Sequence, residues 1–362
     1  MKILMVHRPS SPGKGNPYVA SLAGELARRG HAVDMSVDRF WADEGTYDVV
    51  HFHWPKVLFG ERWCEVSDAD VDLFRARLAS FRARGAKIFY TRHNAVQHYG
   101  DAAQGLNRVY GLLEEEADGV FHMGEFSRRE LLSRFGAGDA PRQFVVPHQV
   151  YHDMPRDIPK AEACRRLGLD PSRRIVLSFG AFRAHEEREM VFAACRDAGV
   201  PGLTLLAPRF FKGPVWRGGI RSTLREWRYR RSFAAPWTAF GAAHVPETDI
   251  PLYFSAADVV FIQRKRILNS GNLPMAFYYG KPVLGPDVGD VGELLRATGN
   301  PAFDPESPSS VVAALCEALD TRDLGVRNRA KADADWRLTR IADQVESAYI
   351  AEENRFSKQG EE

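Results

Sequence analysis

Asn269-Ser270-Gly271-Asn272 is a polar turn set before an apolar run that ends at Gly280, and residues 281–284 then read as a short buried strand. A helix that opens on Ser-Gly-Asn presents unpaired backbone N–H groups and the positive end of its dipole, an arrangement suited to a diphosphate. Gly180-Ala-Phe-Arg183 follows another apolar segment. A glycine there lets a ligand approach the backbone, and an arginine can grip phosphate oxygens in a bidentate manner. The plainer reading of Arg183 is a surface arginine after a tight turn. Two phosphate-directed features in one half of the chain favour the ligand.

The other half offers imidazoles and aromatics. Thr91-Arg92-His93-Asn94 follows a strand pattern, so His93 can hydrogen-bond a sugar hydroxyl or help position a reacting group; equally, it can cap the strand end. In His51-Phe52-His53-Trp54-Pro55 the period of two puts His51 and His53 on one strand face. A metal would need further ligands, and no Cys, Asp or Glu cluster has suitable spacing. Trp54 as a stacking surface for a sugar fits better. The glycine loop at 13–17 lacks both the Walker and the GxGxxG spacing.

Arg217, Arg221, Arg225 and Arg228 recur at helical spacing among Trp216, Trp227, Tyr229 and Phe233. Such a basic, aromatic stripe suits anionic lipid headgroups, or is simply a solvated helix face. Across all 362 residues the net charge is only +2, which gives no global argument for nucleic acid. Hydrophobic content of 44% and charged content of 27% are those of a soluble globular protein. The four cysteines form no CxxC pair and read as reduced thiols. The first residues are too short an apolar run for a signal peptide, and no stretch approaches a membrane span. The expected location is cytoplasmic, with any membrane contact peripheral.

The elements that must position these residues alternate. Strand patterns at 2–7, 31–37, 48–53, 87–91, 119–122 and 143–146 are interleaved with helical patterns at 18–29, 70–84, 107–117 and 125–135. After a proline-containing linker at 151–160 the alternation restarts, with strands at 174–179, 203–206 and 258–262 and helices at 185–197 and 307–319. A single long helical pattern covers 326–351. Alternation of this kind implies parallel sheets covered on both faces, with ligands at the carboxyl ends of the strands.

In their order and spacing these segments resemble the nucleotide-sugar glycosyltransferases of the GT-B fold, close to family 4. The matching pieces are Asn16-Pro-Tyr18, Val50-His-Phe-His-Trp-Pro55, Thr91-Arg-His-Asn94, Val146-Pro-His148, Ser178-Phe-Gly-Ala-Phe-Arg183, His244-Val-Pro246, Ala257-Asp258, Leu268-Asn-Ser-Gly271, Gly280-Lys-Pro-Val283 and the segment from Gly289 to Glu293. The resemblance implies an α/β architecture of two Rossmann-like, doubly wound domains facing a central cleft. Residues 1–155 would bind the acceptor and 156–335 the donor. A helix at 336–352 would pack back on the first domain, followed by a disordered tail at 353–362.

For the site, the resemblance implies donor contacts from Gly180, Arg183, Val245, Pro246, Asn269, Ser270, Gly271, Asn272 and Glu293. It gives catalytic positions at His93 and Asn94, and acceptor contacts from Asn16, Tyr18, His53, Trp54 and His98. No metal or other cofactor is implied, the UDP- or GDP-linked sugar being a substrate. The acceptor would be a saccharide or a polyprenyl-diphosphate-linked oligosaccharide. Transfer with retention would serve polysaccharide or glycoconjugate biosynthesis, at the inner face of the plasma membrane if residues 217–231 meet lipid. Two positions depart from the family. Glu186 stands where a lysine is common, with Arg188 and Arg264 as substitute cations, and Ile267 and Met275 stand where two glutamates are common. These departures keep two alternatives open: a catalytically degenerate GT-B subunit that binds a glycan or partner, and a GT-B sugar-nucleotide epimerase.

Overall fold

A computed structural model describes residues 1–9, 17–94, 103–136, 140–150, 154–213, 215–216, 219–321 and 323–359, with side chains to residue 351. The described chain divides into two compact units, Met1–Gln149 with Arg337–Glu362, and Val150–Trp336.

The first unit runs β1 (Lys2–Val6), α1 (Tyr18–Arg28), β2 (Ala32–Met35), α2 (Asp38–Ala42), β3 (Val49–Phe52), α3 (Asp68–Ala83), β4 (Lys87–Thr91), α4 (Gln104–Glu116), β5 (Gly119–His122), α5 (Glu125–Leu132) and β6 (Arg142–Val145). The six strands are parallel in the order β2-β1-β3-β4-β5-β6. Their near-continuous apolar sequences follow from burial on both faces. Leu4, Val50, Ile88 and Val120 join α3 and α4 in one core, while Ile3, Met5, Val49, Phe89 and Phe121 join α1 in the other. Local chemistry fixes the helix ends. Ser67 and Asp70 form a reciprocal capping box that starts α3 two residues before the expected 70, and Gly30 and Gly85 follow α1 and α3 with positive φ.

The second unit runs α6 (Lys160–Leu167), β7 (Arg174–Leu177), α7 (His185–Asp197), β8 (Leu203–Ala207), α8 (Ile220–Ser232), β9 (Thr238–Phe240), α9 (Ile250–Ala256), β10 (Val259–Phe261), α10 (Asn272–Tyr278), β11 (Val283–Pro286), α11 (Gly289–Ala297), β12 (Ala302–Phe303), α12 (Pro308–Asp320) and α13 (Leu324–Asp335). Its six parallel strands are ordered β12-β11-β10-β7-β8-β9. Chain order therefore reverses between β7 and β10. In the first unit the corresponding reversal lies between β1 and β3. A crevice opens at such a point in a doubly wound sheet, outside the strands' carboxyl ends.

Three boundaries differ from expectation. Val150 is buried in the second unit's core and donates its N–H to the Trp336 carbonyl at 2.9 Å, so the crossover lies at 149/150, not at 155/156. The helical pattern at 326–351 is two helices, α13 and α14 (Leu338–Gln359). They break at Trp336, whose ring is buried and stacked on Phe277, with centroids 5.0 Å apart. The last helix continues to Gln359, through most of the segment assigned to a disordered tail. Its buried residues Ile341, Ala342, Val345, Ala348 and Tyr349 pack with Tyr18, Val19, Leu22 and Leu26 of α1 in the first unit's core.

Candidate functional site

The second unit's crevice is lined by the loops after β7 and β10. After β7 the chain turns at Gly180, whose φ of +92° is in the left-handed region. Two amides hold that turn by donating to the same Phe179 carbonyl, Asn272 Nδ2 at 2.7 Å and Gln263 Nε2 at 3.2 Å. A side chain at Gly180 would come within 3.7 Å of Asn272 Nδ2. The turn therefore ties the β7 loop to the start of α10, and Gly180, Asn272 and Gln263 share one site.

Arg183 projects outward from the same loop, and among the described residues it has no ion-pair partner. Its backbone N–H donates to Glu187 Oε2 at 2.7 Å. That oxygen also receives Arg264 Nη1 at 2.6 Å, and Arg264 Nη2 reaches the Ala181 carbonyl at 2.6 Å. Burial, with the nearby Arg183 charge adding to it and Glu187 opposing it, pulls the Arg264 guanidinium below its ordinary value. Glu187 Oε2 thus ties the backbone of one loop to the guanidinium of the other, across the reversal, while the Arg183 side chain stays unpaired among the described residues. Arg188 is committed differently. Its buried guanidinium donates to three carbonyls, those of Phe210 at 2.6 Å, Ala184 at 2.9 Å and Phe182 at 3.2 Å. It braces the loop from beneath and is not free to meet a ligand. Glu186 is exposed and lines a groove with Glu189, Met190, Lys265 and Glu306.

The turn before α10 is partly exposed at Asn269, Ser270 and Gly271. Ser270 Oγ accepts the Asn272 N–H at 3.3 Å, and Asn269 Nδ2 is buried with no hydrogen-bond partner among the described residues. The helix itself has only seven residues, so its dipole is weak and the positive charge at this crevice resides on the arginines. Close packing fixes the turn's other side. Gly289 opens α11 at φ +61°, and a Cβ there would lie 2.4 Å from the Ile267 carbonyl oxygen. Glu293, one turn into α11, is half-buried. Val245 is buried after the edge strand β9, with Pro246 exposed beside it. Ile267 and Met275 pack into the apolar core, so neither position supplies a polar group.

In the first unit, the loops after β3 and β4 bring rings together at the sheet's carboxyl end. Trp54 stacks on His93, with centroids 3.9 Å apart and an interplanar angle of 20°. His93 Nε2 is 3.2 Å from His53 Nδ1. Tyr18 meets His93 edge-on at 4.9 Å and His148 at 4.8 Å. Below them, His51 is hydrogen-bonded on both nitrogens, to the Tyr349 hydroxyl at 2.6 Å and to Thr91 Oγ1 at 2.8 Å. The last helix thus helps to hold the histidine cluster.

Burial dominates the ionisation of these rings. It brings His51 down to about 3 and His148 to about 4. Burial, reinforced by repulsion from neighbouring imidazoles, holds His53 and His93 far below the ordinary value. At neutral pH His93 is therefore an uncharged hydrogen-bonding ring. Arg92 faces the other way and is fully buried. It pairs with Glu114 at 2.6 Å and Glu130 at 2.5 Å and donates to Ser127, which anchors the loop that carries His93.

Tyr18, His53, Trp54 and His93 thus form one cluster, but Tyr18 and His53 are buried supports within it. Their expected direct contact with an acceptor does not fit this placement. Trp54 keeps a partly exposed face, as does Asn94 beside His93. Asn16 and His98 lie outside the described residues. The site expectations left out Gln263, Glu187, His148 and Gln149. Gln149 is fully buried and donates from Nε2 to the Tyr18 carbonyl at 2.8 Å. Val146-Pro-His148 is the sequence signal for His148 and lies beside Gln149; it does not point to Gln263 or Glu187. Among the described residues, no group of three or more His, Cys, Asp and Glu is arranged to hold a metal ion.

No family model matches the chain, and no curated protein matches it at the sequence level. Solved structures do match. Sucrose-phosphate synthase from Thermosynechococcus elongatus superposes with a TM-score of 0.72 at 19% identity, over 97% of this chain and 98% of that one. HepE from Anabaena, solved with UDP-glucose, gives 0.67 at 15% identity, over 97% and 100%. Trehalose 6-phosphate synthase from Burkholderia multivorans gives 0.68 at 12% identity, over 99% and 98%. The likeness spans both units in each case, and the chain has the GT-B fold.

Proposed function

We propose that this protein transfers a sugar from a nucleotide-diphosphate donor to a saccharide or lipid-linked saccharide acceptor, as a member of the family 4-like group of GT-B enzymes. The observation that carries the reading is that the unpaired Arg183 charge acts on Arg264 where the strand order reverses, with Glu187 tying the Arg183 backbone to the Arg264 guanidinium. A diphosphate bridging the two guanidiniums relieves their mutual repulsion and gains charge-assisted hydrogen bonds. Arg264 thereby takes the part of the lysine that Glu186 replaces. Ser270 and Gly271 offer backbone donors, Asn269 Nδ2 a free amide for the donor sugar, Glu293 an acceptor for the ribose, and Val245-Pro246 a wall for the base.

On this reading, developing charge on the leaving diphosphate is met by fixed cations and N–H groups, without an essential metal. His93 contributes as a neutral ring, held by Trp54 and His53, that hydrogen-bonds the donor sugar. A ring so reluctant to take a proton is a poor general base at neutral pH. This supports retention over an inverting reaction that relies on His93. Trp54 and Asn94 face the acceptor. A lipid-linked acceptor would bring the protein to the inner membrane face, in the service of polysaccharide or glycoconjugate assembly.

The test is calorimetry with UDP- and GDP-sugars, followed by transfer assays with and without chelator. Donor binding with chelator-resistant transfer is the expected result; no nucleotide binding at millimolar donor would sink the proposal. The apolar Ile267 and Met275 and the acidic Glu186 favour a second reading, a non-catalytic glycan-binding subunit. That reading predicts neither transfer nor donor hydrolysis. Conversion of the nucleotide sugar without acceptor would instead identify an epimerase.

A further inference from the structure

The helix α8 is covered by little of its own protein. None of its thirteen residues is buried. Ile220 is 73% exposed, Leu224 49% and Trp227 48%, and Trp216 just before the helix is 60% exposed. These four are half of the eight large exposed hydrophobic side chains among the described residues. Ile220, Leu224 and Trp227 recur at i, i+4 and i+7 and so form one row along the helix. Arg221, Arg225 and Arg228 form the adjacent row at the same spacing, all exposed. Among the described residues none of these three has an ion-pair partner. Arg231 lies over the Trp227 ring at 5.1 Å. Arg217 lies outside the described residues.

The opposite side of α8 is firmly seated. Phe233, directly after the helix, is buried, and its ring centroid is 5.2 Å from that of Phe210. Tyr229 shares a hydrogen bond with His185 at 3.0 Å. Arg230 pairs with Glu226 at 2.8 Å and donates to the Gly213 carbonyl. The apolar row is therefore held outward by the fold and is not a frayed end.

We propose that α8 and Trp216 form the surface by which this protein rests on an anionic lipid bilayer. Apolar side chains enter the acyl boundary, Trp216 and Trp227 sit at headgroup depth, and the arginine row meets lipid phosphates. Other partners match only half of the surface. A nucleic acid would satisfy the arginines but leave Ile220 and Leu224 uncovered. A second copy packed through α8 about a two-fold axis would cover the apolar row but bring the arginine rows no acidic partner, since Glu226 is already paired with Arg230. No described helix is long and apolar enough to cross a membrane, so the contact is peripheral. This inference rests on α8 alone and does not depend on the donor site.

The full chain is sedimented with vesicles of phosphatidylcholine alone and of phosphatidylcholine mixed with phosphatidylglycerol, at low and high salt and without nucleotide. Binding should require phosphatidylglycerol and fall at high salt. The Arg221→Gln/Arg225→Gln/Arg228→Gln variant should lose about a hundredfold in partition, and the corresponding lysine variant should retain most of it. Mixed vesicles should shift tryptophan emission of the parent to the blue, and Trp216→Phe/Trp227→Phe should remove that shift. This readout needs no arginine variant to fold. Partition that ignores phosphatidylglycerol or the arginine substitutions would overturn the proposal. So would a concentration-dependent dimer that forms through α8 while vesicles leave the protein in solution.

Discussion

Arg183 and Arg188 are five positions apart and do opposite work. Arg183 leaves its charge in solvent beside Arg264, whereas Arg188 spends its guanidinium on three loop carbonyls. On the proposed function, Arg183→Ala should therefore weaken nucleotide-donor binding about tenfold to a hundredfold, the cost of one charge-assisted contact of about 1.5–3 kcal/mol, with the melting temperature unchanged. Calorimetry and a thermal melt on the same sample check both halves. Arg188→Met should do the reverse first, lowering stability by roughly 2–4 kcal/mol because buried carbonyls lose their donors. The sequence made Arg183 legible because a glycine turn and an arginine follow one strand contiguously. It named Arg188 and Arg264 as equal candidates, each a basic residue that could stand in for the lysine. Only the fold separates them, by burying one among carbonyls and setting the other beside Glu187. His93 was legible in the same way as Arg183, but its neutrality was not. That follows from burial among imidazoles contributed by separate loops.

At the scale of elements, helices with strong apolar periodicity were legible to within a few residues, and β4, β5 and α7 match their expected ends. The short pieces were not. β9 has three residues and β12 two, too few to show alternation, and α2 and α9 are brief helices that tertiary packing stabilises. The false continuity at 326–351 has a physical cause. Trp336 fits a helical pattern as well as it fits a core, and here stacking on Phe277 prevails. The contact between α11 and the 267–271 turn gives a prediction at this scale. Gly289→Ala places a methyl against the Ile267 and Leu268 carbonyls in a left-handed conformation. It should cost about 2–4 kcal/mol in a denaturant titration. On the proposed donor site, nucleotide affinity should fall as well, although residue 289 lies outside the 267–271 turn. Unchanged affinity would show that this turn tolerates movement.

For the whole molecule, the parallel sheets followed from the alternation, but strand order did not. Without it, the loops after β7 and β10 could not be recognised as neighbours. The first unit's buried histidines have a further consequence. His51 is held down to about 3 and His122 to about 4, chiefly by burial. Unfolded, both take protons below about pH 6.5, so below that pH the unfolded chain binds more protons and stability falls. Above it their contribution vanishes. Each ring should remove about 1.4 kcal/mol per pH unit once its unfolded form is protonated. Denaturant midpoints at pH 7 and pH 5 should reveal the loss well before carboxylates titrate; equal midpoints would contradict it. Tyr349→Phe should also destabilise by about 1–3 kcal/mol, by leaving a buried His51 nitrogen without a partner. The same hydrogen bond constrains the order in which the protein is made. His51 emerges from the ribosome early, yet its partner Tyr349 arrives only after the whole of the second unit has been synthesised. The first-made sheet gains its last core partners only when that helix is made, while residues 150–336 are complete beforehand. Vectorial synthesis therefore supplies every contact of the middle unit before it supplies the last ones of the unit that was begun first.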